Sequence, residues 1–427
     1  MKKYLLVILL LIKILSGHGQ EQHTIKFGIE QIESLFLANN LELIAAKYSI
    51  NIADAAISQA KLWDNPTLSV SGVNLWTTKY QRQEIKDMSS SSFIPNTEYS
   101  IELSQLIQTA NKRGKLVKRE KIAKEIAVQE FEELLRGLKT ELRKSAYEMI
   151  YMQNYLQILI NQQKNLDQLI ESHKKQVQQG NIAKNELIRL QSSFLEVENE
   201  LNEAQSELND KEKTLKILLG IPPGVNVEIT DDGKDTKNPD LISLASLLDM
   251  AEEQRPDLQL YKIQTEYHKK SLTYEKSLKI PDLTLSAAYD RYGGVWKDFI
   301  GIGISIDLPF FNRNQGNIKS AKLSLDQSYY LVQQQQNTIR HEIATQYKNY
   351  TYAYSFLKKI NDENLMPELD NMLDAYTRNL LNRNISMVEY MDFMESYKNN
   401  KHTILNARKK VCIQFEELQF SIGKDIK

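Results

Sequence analysis

Between Thr109 and Gln179 the sequence contains no proline and reads as one uninterrupted helix. At 1.5 Å rise, roughly 70 residues extend about 100 Å. Such a rod is far longer than the helices of globular domains, so it needs lateral packing along its whole face, in a coiled coil or a bundle. Gly180-Asn181 breaks it, and a returning helix from Ala183 to Leu219 closes on Gly220 and Pro222-Pro223. A second long helix runs from Asn317 to Leu381, interrupted at most at Pro367. Asn382 to Ser386 breaks it, and the last helix ends near Ile422. Helical text also covers 24–62, with a break near Asn39-Asn40, and it resumes at about 241 and again after Arg255-Pro256. Gly (16) and Pro (9) are correspondingly scarce.

Strands are set between these rods. Leu283, Leu285, Ala287 and Tyr289 alternate with Thr284, Ser286, Ala288 and Asp290. Past a Gly293-Gly294 turn, Ile300, Ile302, Ile304, Ile306 and Leu308 alternate with Gly301, Gly303, Ser305 and Asp307. This period of two predicts a hairpin of strands 282–291 and 299–308, apolar on one face and small or polar on the other. Strands at 67–76 and 97–106 form an earlier pair, with Gly72 expected to shift the alternation as a bulge would. Each run has about ten residues, the length of a strand tilted across a bilayer. The order of elements repeats: Pro66 to Ser71 matches Pro281 to Ser286 (281 − 66 = 215), and the helix breaks recur at Gly180 and Asn384 (384 − 180 = 204). The predicted division is a signal peptide at 1–19, a first repeat at 20–223, a linker at 224–240 and a second repeat at 241–427.

Lys2 and Lys3 before the apolar run Leu5 to Ile12, then Gly17 and Gly19, read as a secretory signal cut before Gln20. No later stretch approaches 18 apolar residues, so no transmembrane α-helix is expected. A net charge of −1 gives no reason to expect nucleic acid. The single Cys412 cannot form an intrachain disulfide, and no cysteine near the cleavage site offers an N-terminal lipid anchor. The six histidines are scattered, none with a metal-ligand partner at i+3 or i+4, so neither metal nor cofactor is expected. Gly301-x-Gly303 lacks the third glycine of a dinucleotide fingerprint and sits inside a strand. No catalytic constellation is visible, and the chain does not read as an enzyme.

Four strands cannot close a barrel, and an open sheet edge is not tolerated in lipid. Closure therefore needs several chains. Three give twelve strands, and their helices, two pairs per chain, would continue the barrel as a tunnel. The expected fold is mostly α with membrane β: a trimeric twelve-stranded outer-membrane barrel on a long coiled-coil periplasmic tunnel.

Several motifs resemble the TolC-type family of outer-membrane efflux channels, over nearly the whole mature sequence. They are Asn65-Pro66-Thr67-Leu68, Leu218-Leu219-Gly220-Ile221-Pro222, Arg255-Pro256-Asp257-Leu258, Pro281-Asp282-Leu283 and Leu308-Pro309-Phe310-Phe311. Phe311 to Ile318 resembles the heavy-metal branch (CzcC- and CusC-like) of resistance-nodulation-division systems. The resemblance implies a homotrimeric exit duct in the outer membrane of a Gram-negative bacterium, in contact with its lipid. A periplasmic adaptor and an inner-membrane transporter of the resistance-nodulation-division type would be its partners, and heavy-metal cations its substrate. A drug-efflux or type I secretion channel is the alternative within that class, and a secreted coiled-coil scaffold without a pore is the alternative outside it.

By the same resemblance, the helix tips Gly180, Asn181, Ile182 and Arg383, Asn384, Ile385, Ser386 are where the tube closes and the adaptor docks. Glu389 and Asp392, at i and i+3, match the family's acidic constriction, with Glu186 in a similar place after the first tip. Met387, Met391 and Met394 recur beside them at helical spacing, and either packing or a soft-metal relay would use thioethers there. Tyr99, Tyr289, Tyr292, Trp76 and Trp296 are candidates for an aromatic girdle.

Overall fold

A computed structural model of the chain describes residues 24–73, 79, 80, 83, 98–231, 238–241, 243–291, 296–363 and 365–426. The signal peptide, Trp76, Tyr292 and the Gly293-Gly294 turn lie outside these residues. The helices are α1 (Ile29–Asn39), α2 (Leu41–Ala60), α3 (Lys112–Gln178), α4 (Lys184–Leu219), α5 (Leu244–Gln254), α6 (Pro256–Leu278), α7 (Gln315–Asp362), α8 (Leu365–Leu381) and α9 (Met387–Ile422). The strands are β1 (Thr24–Phe27), β2 (Thr67–Ser71), β3 (Ser100–Ile107), β4 (Asn226–Ile229), β5 (Leu283–Asp290) and β6 (Phe299–Ile306).

The long rods form as their sequence demands: α3 alone has 67 residues. Between α7 and α8 the helix stops at Asp362 and resumes at Leu365. Pro367 explains the interruption, because its ring collides with the carbonyl four residues earlier, that of Glu363. Two stretches differ from the sequence reading. Residues 24–27 are strand rather than helix, and they pair in parallel with β4, inside the stretch expected to be linker. Strand β2 ends at Ser71, and Gly72 follows it in a left-handed conformation (φ +67°) instead of bulging within it.

The chain forms two compact units. One comprises Met1–Ile44, Leu134–Gln254 and Ile339–Lys427, and the other Ala45–Glu133 and Arg255–Thr338.

The first unit is helical apart from β1 and β4. Its core includes a cluster of Leu166, Leu169, Ile170, Leu190, Val197, Leu380, Met387, Tyr390 and Met394, drawn from α3, α4, α8 and α9. Asn40, between α1 and α2, caps α2 through its Oδ1, which accepts from Leu43 N–H, and donates to the Leu218 carbonyl. Gly220 ends α4 left-handed (φ +66°), and a Cβ there would meet the Asn39 carbonyl oxygen at 3.2 Å. An ionic cluster joins three helices and the C-terminal residues. Arg143 of α3 binds Glu33 of α1 (2.6 Å), Glu416 of α9 (3.0 Å) and Asp425 (2.8 Å).

The second unit carries a four-stranded antiparallel sheet in the order β2-β3-β5-β6. The register keeps the alternation in phase across all four strands. One face presents Leu68 and Val70, then Ile101 and Leu103, then Leu285, Ala287 and Tyr289, then Ile300, Ile302 and Ile304. The other presents Ser69, Glu102, Ser104, Ser286, Ala288, Gly301 and Gly303. The apolar face is open: Ile302 is 88% exposed and Leu68 66%. Motif residues anchor the sheet to its helices. Asp282 accepts from Thr109 N–H and pairs with buried Lys112 (2.7 Å) at the β3–α3 junction. Arg255 grips Asp257 through two hydrogen bonds at the start of α6, and Gln335 also donates to Asp257.

Candidate functional site

The two helix tips lie in the first unit and are built alike. At the first, Asn181 N–H reaches back to the Gln176 carbonyl (2.9 Å) and Gly180 N–H to that of Val177 (3.0 Å). At the second, Asn384 N–H bonds the Asn379 carbonyl (2.9 Å) and Arg383 N–H that of Leu380 (3.0 Å). Both are the paired C-terminal closure in which one residue turns left-handed. Gly180 (φ 72°) and Arg383 (φ 61°) fill that position. The offset is 383 − 180 = 203. It also pairs Ile182 with Ile385, Ala183 with Ser386, and Glu186 with Glu389. The tips thus share the pattern x-Asn-Ile-small-x-x-Glu. Glycine takes the left-handed angle without a Cβ penalty, whereas Arg383 tolerates it at a cost of about 1 kcal/mol.

The starts of the returning helices differ. Ser386 caps α9: its hydroxyl accepts from Glu389 N–H (3.2 Å), and Glu389 Oε2 accepts from Ser386 N–H (2.7 Å). This reciprocal box satisfies two donors that the helix leaves free. Hydrogen bonds from the Ser386 backbone and hydroxyl hold the Glu389 carboxyl below its ordinary range. Ala183, at the same place in the first tip, has no side chain to cap α4.

Glu389 and Asp392 are both exposed, and Glu186 is half-buried. The Glu389 carboxylate is turned back onto Ser386, so within one chain it is a capping group first. Met387 and Met394 are buried in the core cluster, and Met391 packs against its side. These thioethers fill space between helices, which favours the packing reading. The two tips are tied together by Arg383 Nη2, which donates to Gln176 Oε1 (3.1 Å). Further up α9, Lys398 pairs with Glu200 of α4 (2.6 Å), and buried Lys401 pairs with Asp370 of α8 (2.7 Å), which also accepts from the Tyr397 hydroxyl. Sequence reading did not single out these cross-links. A signal was present, since Lys401 interrupts the apolar series Met394, Tyr397, Ile404.

Where β3 begins and β5 finishes, the Tyr99 and Tyr289 rings lie 6.1 Å apart, Tyr289 donates to Asp298, and Trp296 is 74% exposed. Among the described residues, no group of three or more His, Cys, Asp or Glu side chains could hold a metal. No described helix is long and apolar enough to cross a membrane.

The second unit thus carries a four-stranded sheet with one open apolar face, and the first unit carries two helical hairpins with matching tips. Residues 33–221 match the family described as outer membrane efflux protein. The chain is 21% identical over 302 residues to the cobalt-zinc-cadmium resistance protein CzcC of Cupriavidus metallidurans, covering 70% of this chain and 67% of that one. The fold is also that of CusC, described for conformational changes accompanying folding and transmembrane channel formation (TM-score 0.73, 16% identity, 96% of this chain and 95% of that chain). The Campylobacter jejuni CmeC outer membrane channel is similarly close (TM-score 0.75, 15% identity, 92% and 85%).

Proposed function

We propose that this outer-membrane efflux channel works as a homotrimer, the passive exit duct for heavy-metal cations in a system with a periplasmic adaptor and an inner-membrane transporter. The observation that carries the reading is the sheet. Its alternation is in register over four strands, its apolar face is open, and β2 and β6 each have an unpaired edge. Lipid tolerates no such edge, and three copies joined edge to edge leave none. The duplication supports the same assembly. In the second unit, Arg119 of α3, from the first repeat, lies over Tyr274 of α6, from the second, while Tyr48 and Ile52 of α2 and Tyr330 of α7 are well exposed. A contact between the repeats inside one chain, with open apolar faces left on α2 and α7, suits a ring in which the next copy covers those faces.

The substrate class follows from the likeness to the cobalt-zinc-cadmium resistance protein. A strain lacking this chain would become sensitive to zinc, cobalt, nickel or cadmium salts and remain indifferent to dyes and bile salts. Sensitivity to dyes and bile salts alone would remove the metal substrate and leave the channel.

In the trimer, Glu389 and Asp392 give six carboxylates at the closed end, with Glu186 beside them, and the two tips receive the adaptor. Such a ring attracts cations. Glu389→Ala with Asp392→Ala would relieve block of the open pore by multivalent cations in planar bilayers, and unchanged block would exclude the constriction role.

A further inference from the structure

The sheet has a second aromatic rim, at the end where β2 and β5 begin and β3 and β6 finish. Leu62 and Trp63 precede β2, and Leu308, Phe310 and Phe311 follow β6. They are exposed by 60%, 59%, 66%, 68% and 96%. Large apolar groups left open in line with an apolar strand face mark contact with lipid.

At this rim two opposite charges share one hollow without pairing. Leu62, Trp63, Asp64, Gln108, Asn111 and Arg113 line it. The Arg113 guanidinium lies over the Trp63 ring, 3.8 Å from its centre. Arg113 Nη1 is shut off from water and has no hydrogen-bond partner among the described residues. A buried donor left unpaired costs about 1–3 kcal/mol, more when charged, so this one is poised to receive an acceptor. Asp64 is held in place by its backbone, whose carbonyl accepts from Gln105 of β3 (2.9 Å). Among the described residues its carboxylate accepts one hydrogen bond, from Gln108 Nε2 (2.9 Å). A carboxylate has about four acceptor positions, so capacity remains for a cation.

We propose that Trp63, Arg113 and Asp64 form a binding site for the zwitterionic headgroup of a phospholipid bearing a primary ammonium, such as ethanolamine. The phosphodiester oxygens take the guanidinium, which matches a phosphate with a planar pair of donors. The ammonium takes Asp64, and Trp63 holds the guanidinium from one side while facing the lipid glycerol region from the other. The second residue of α3 carries the guanidinium, so the positive end of a long helix dipole adds to the phosphate's attraction. A purely anionic headgroup satisfies Arg113 but leaves Asp64 facing a like charge.

The inference rests on the sheet lying in a membrane, and its test separates the two. The full chain, with Trp76→Phe and Trp296→Phe so that Trp63 is the one tryptophan, is reconstituted into vesicles. The vesicles contain phosphatidylethanolamine and phosphatidylglycerol, with acyl-chain bromine on one lipid or the other. Flotation with the vesicles reports membrane insertion independently. At equal mole fraction, Trp63 quenching by the brominated ethanolamine lipid should exceed that by the glycerol lipid about threefold, the worth of one screened charge-assisted contact. Asp64→Asn should abolish the preference while keeping quenching by both lipids. Arg113→Ala should also bring the ratio to one, and Arg113→Lys should retain part of the preference. Equal quenching by the two lipids in a protein that floats would overturn the headgroup site and leave the membrane reading standing. A preference that survives both Asp64→Asn and Arg113→Ala would overturn it equally.

Discussion

Arg143 offers the sharpest test of how the first unit is held together. Its guanidinium is 13% exposed and binds Glu416, whose side chain is 6% exposed, along with Glu33 and Asp425. Removing it by Arg143→Ala leaves Glu416 charged in the interior with one neutral donor, Gln419 Nε2 (3.0 Å). Stripping one partner from a buried ion pair costs about 3–5 kcal/mol, mostly the penalty of the charge left behind. Asp425 adds a smaller part. Burial alone would raise its pKa, but hydrogen bonds from Arg143 and Lys139 outweigh burial and bring it from 3.8 to about 2. The carboxylate is nearly half exposed and Lys139 remains, so about 1 kcal/mol is at stake.

The total is about 5 kcal/mol, or roughly 10 °C in the apparent midpoint of thermal unfolding in detergent at fixed scan rate. Glu416→Gln in the same background should restore part of the loss, because an amide can stay buried without a cation. The coupling between the two substitutions is expected at about 1–3 kcal/mol. The pH dependence has a definite sign. Burial raises Glu416 above its ordinary 4.5 even with Arg143 opposing it, and loss of Arg143 raises it further. A raised folded pKa means stability present at low pH and lost as pH rises through it. Arg143→Ala should therefore be closer to wild type at pH 5 than at pH 8. The Asp425 contribution has the opposite sign. It is full above 3.8 and fades as pH falls toward 2, below this window. Additivity within 0.5 kcal/mol, or an Arg143→Ala defect that does not change between the two pH values, would refute the reasoning.

The helix starts give two further predictions. Ser386→Ala should cost about 1 kcal/mol locally and speed hydrogen exchange in the first turn of α9, whereas Ala183→Ser should stabilise α4 by a similar amount, because Glu186 already stands where the reciprocal box needs it. Equal exchange rates before and after Ala183→Ser would disprove the equivalence of the tips. Gly180→Ala should loosen the first tip by about 1 kcal/mol, since its left-handed φ of 72° penalises a Cβ that otherwise meets open space. In the sheet, a Cβ at Gly303 would come within 2.5 Å of Ser286 Oγ. Gly303→Val should lower the yield of assembled oligomer in sedimentation, and Ser286→Gly should restore part of it. Finally, Lys398→Ala should leave the Glu200 carboxylate unpaired between α4 and α9 and increase proteolytic cutting at the tips, with Lys398→Arg close to wild type.

The sequence by itself determined the elements and the sidedness of the sheet. Long stretches without proline between Thr109 and Leu219 leave the backbone nothing to do but continue as helix. Period-two text around Leu285 and Ile302 assigns each side chain to a face before any strand is paired. The duplication was also legible, because Pro66 to Ser71 is matched by Pro281 to Ser286 and the order of elements repeats. Tertiary structure alone decided the rest. Strands β1 and β4 have four residues each and pair across about two hundred positions, so no local pattern marks them. Glu389 belongs to a capping box as much as to any constriction, because its carboxylate reaches back to Ser386. The Arg143 cluster and the Trp63–Arg113 stack join residues far apart in the chain. In sequence each is an ordinary charge or aromatic ring, and only folding, by removing water around them, makes Glu416 depend on Arg143 and leaves Arg113 Nη1 against the Trp63 ring.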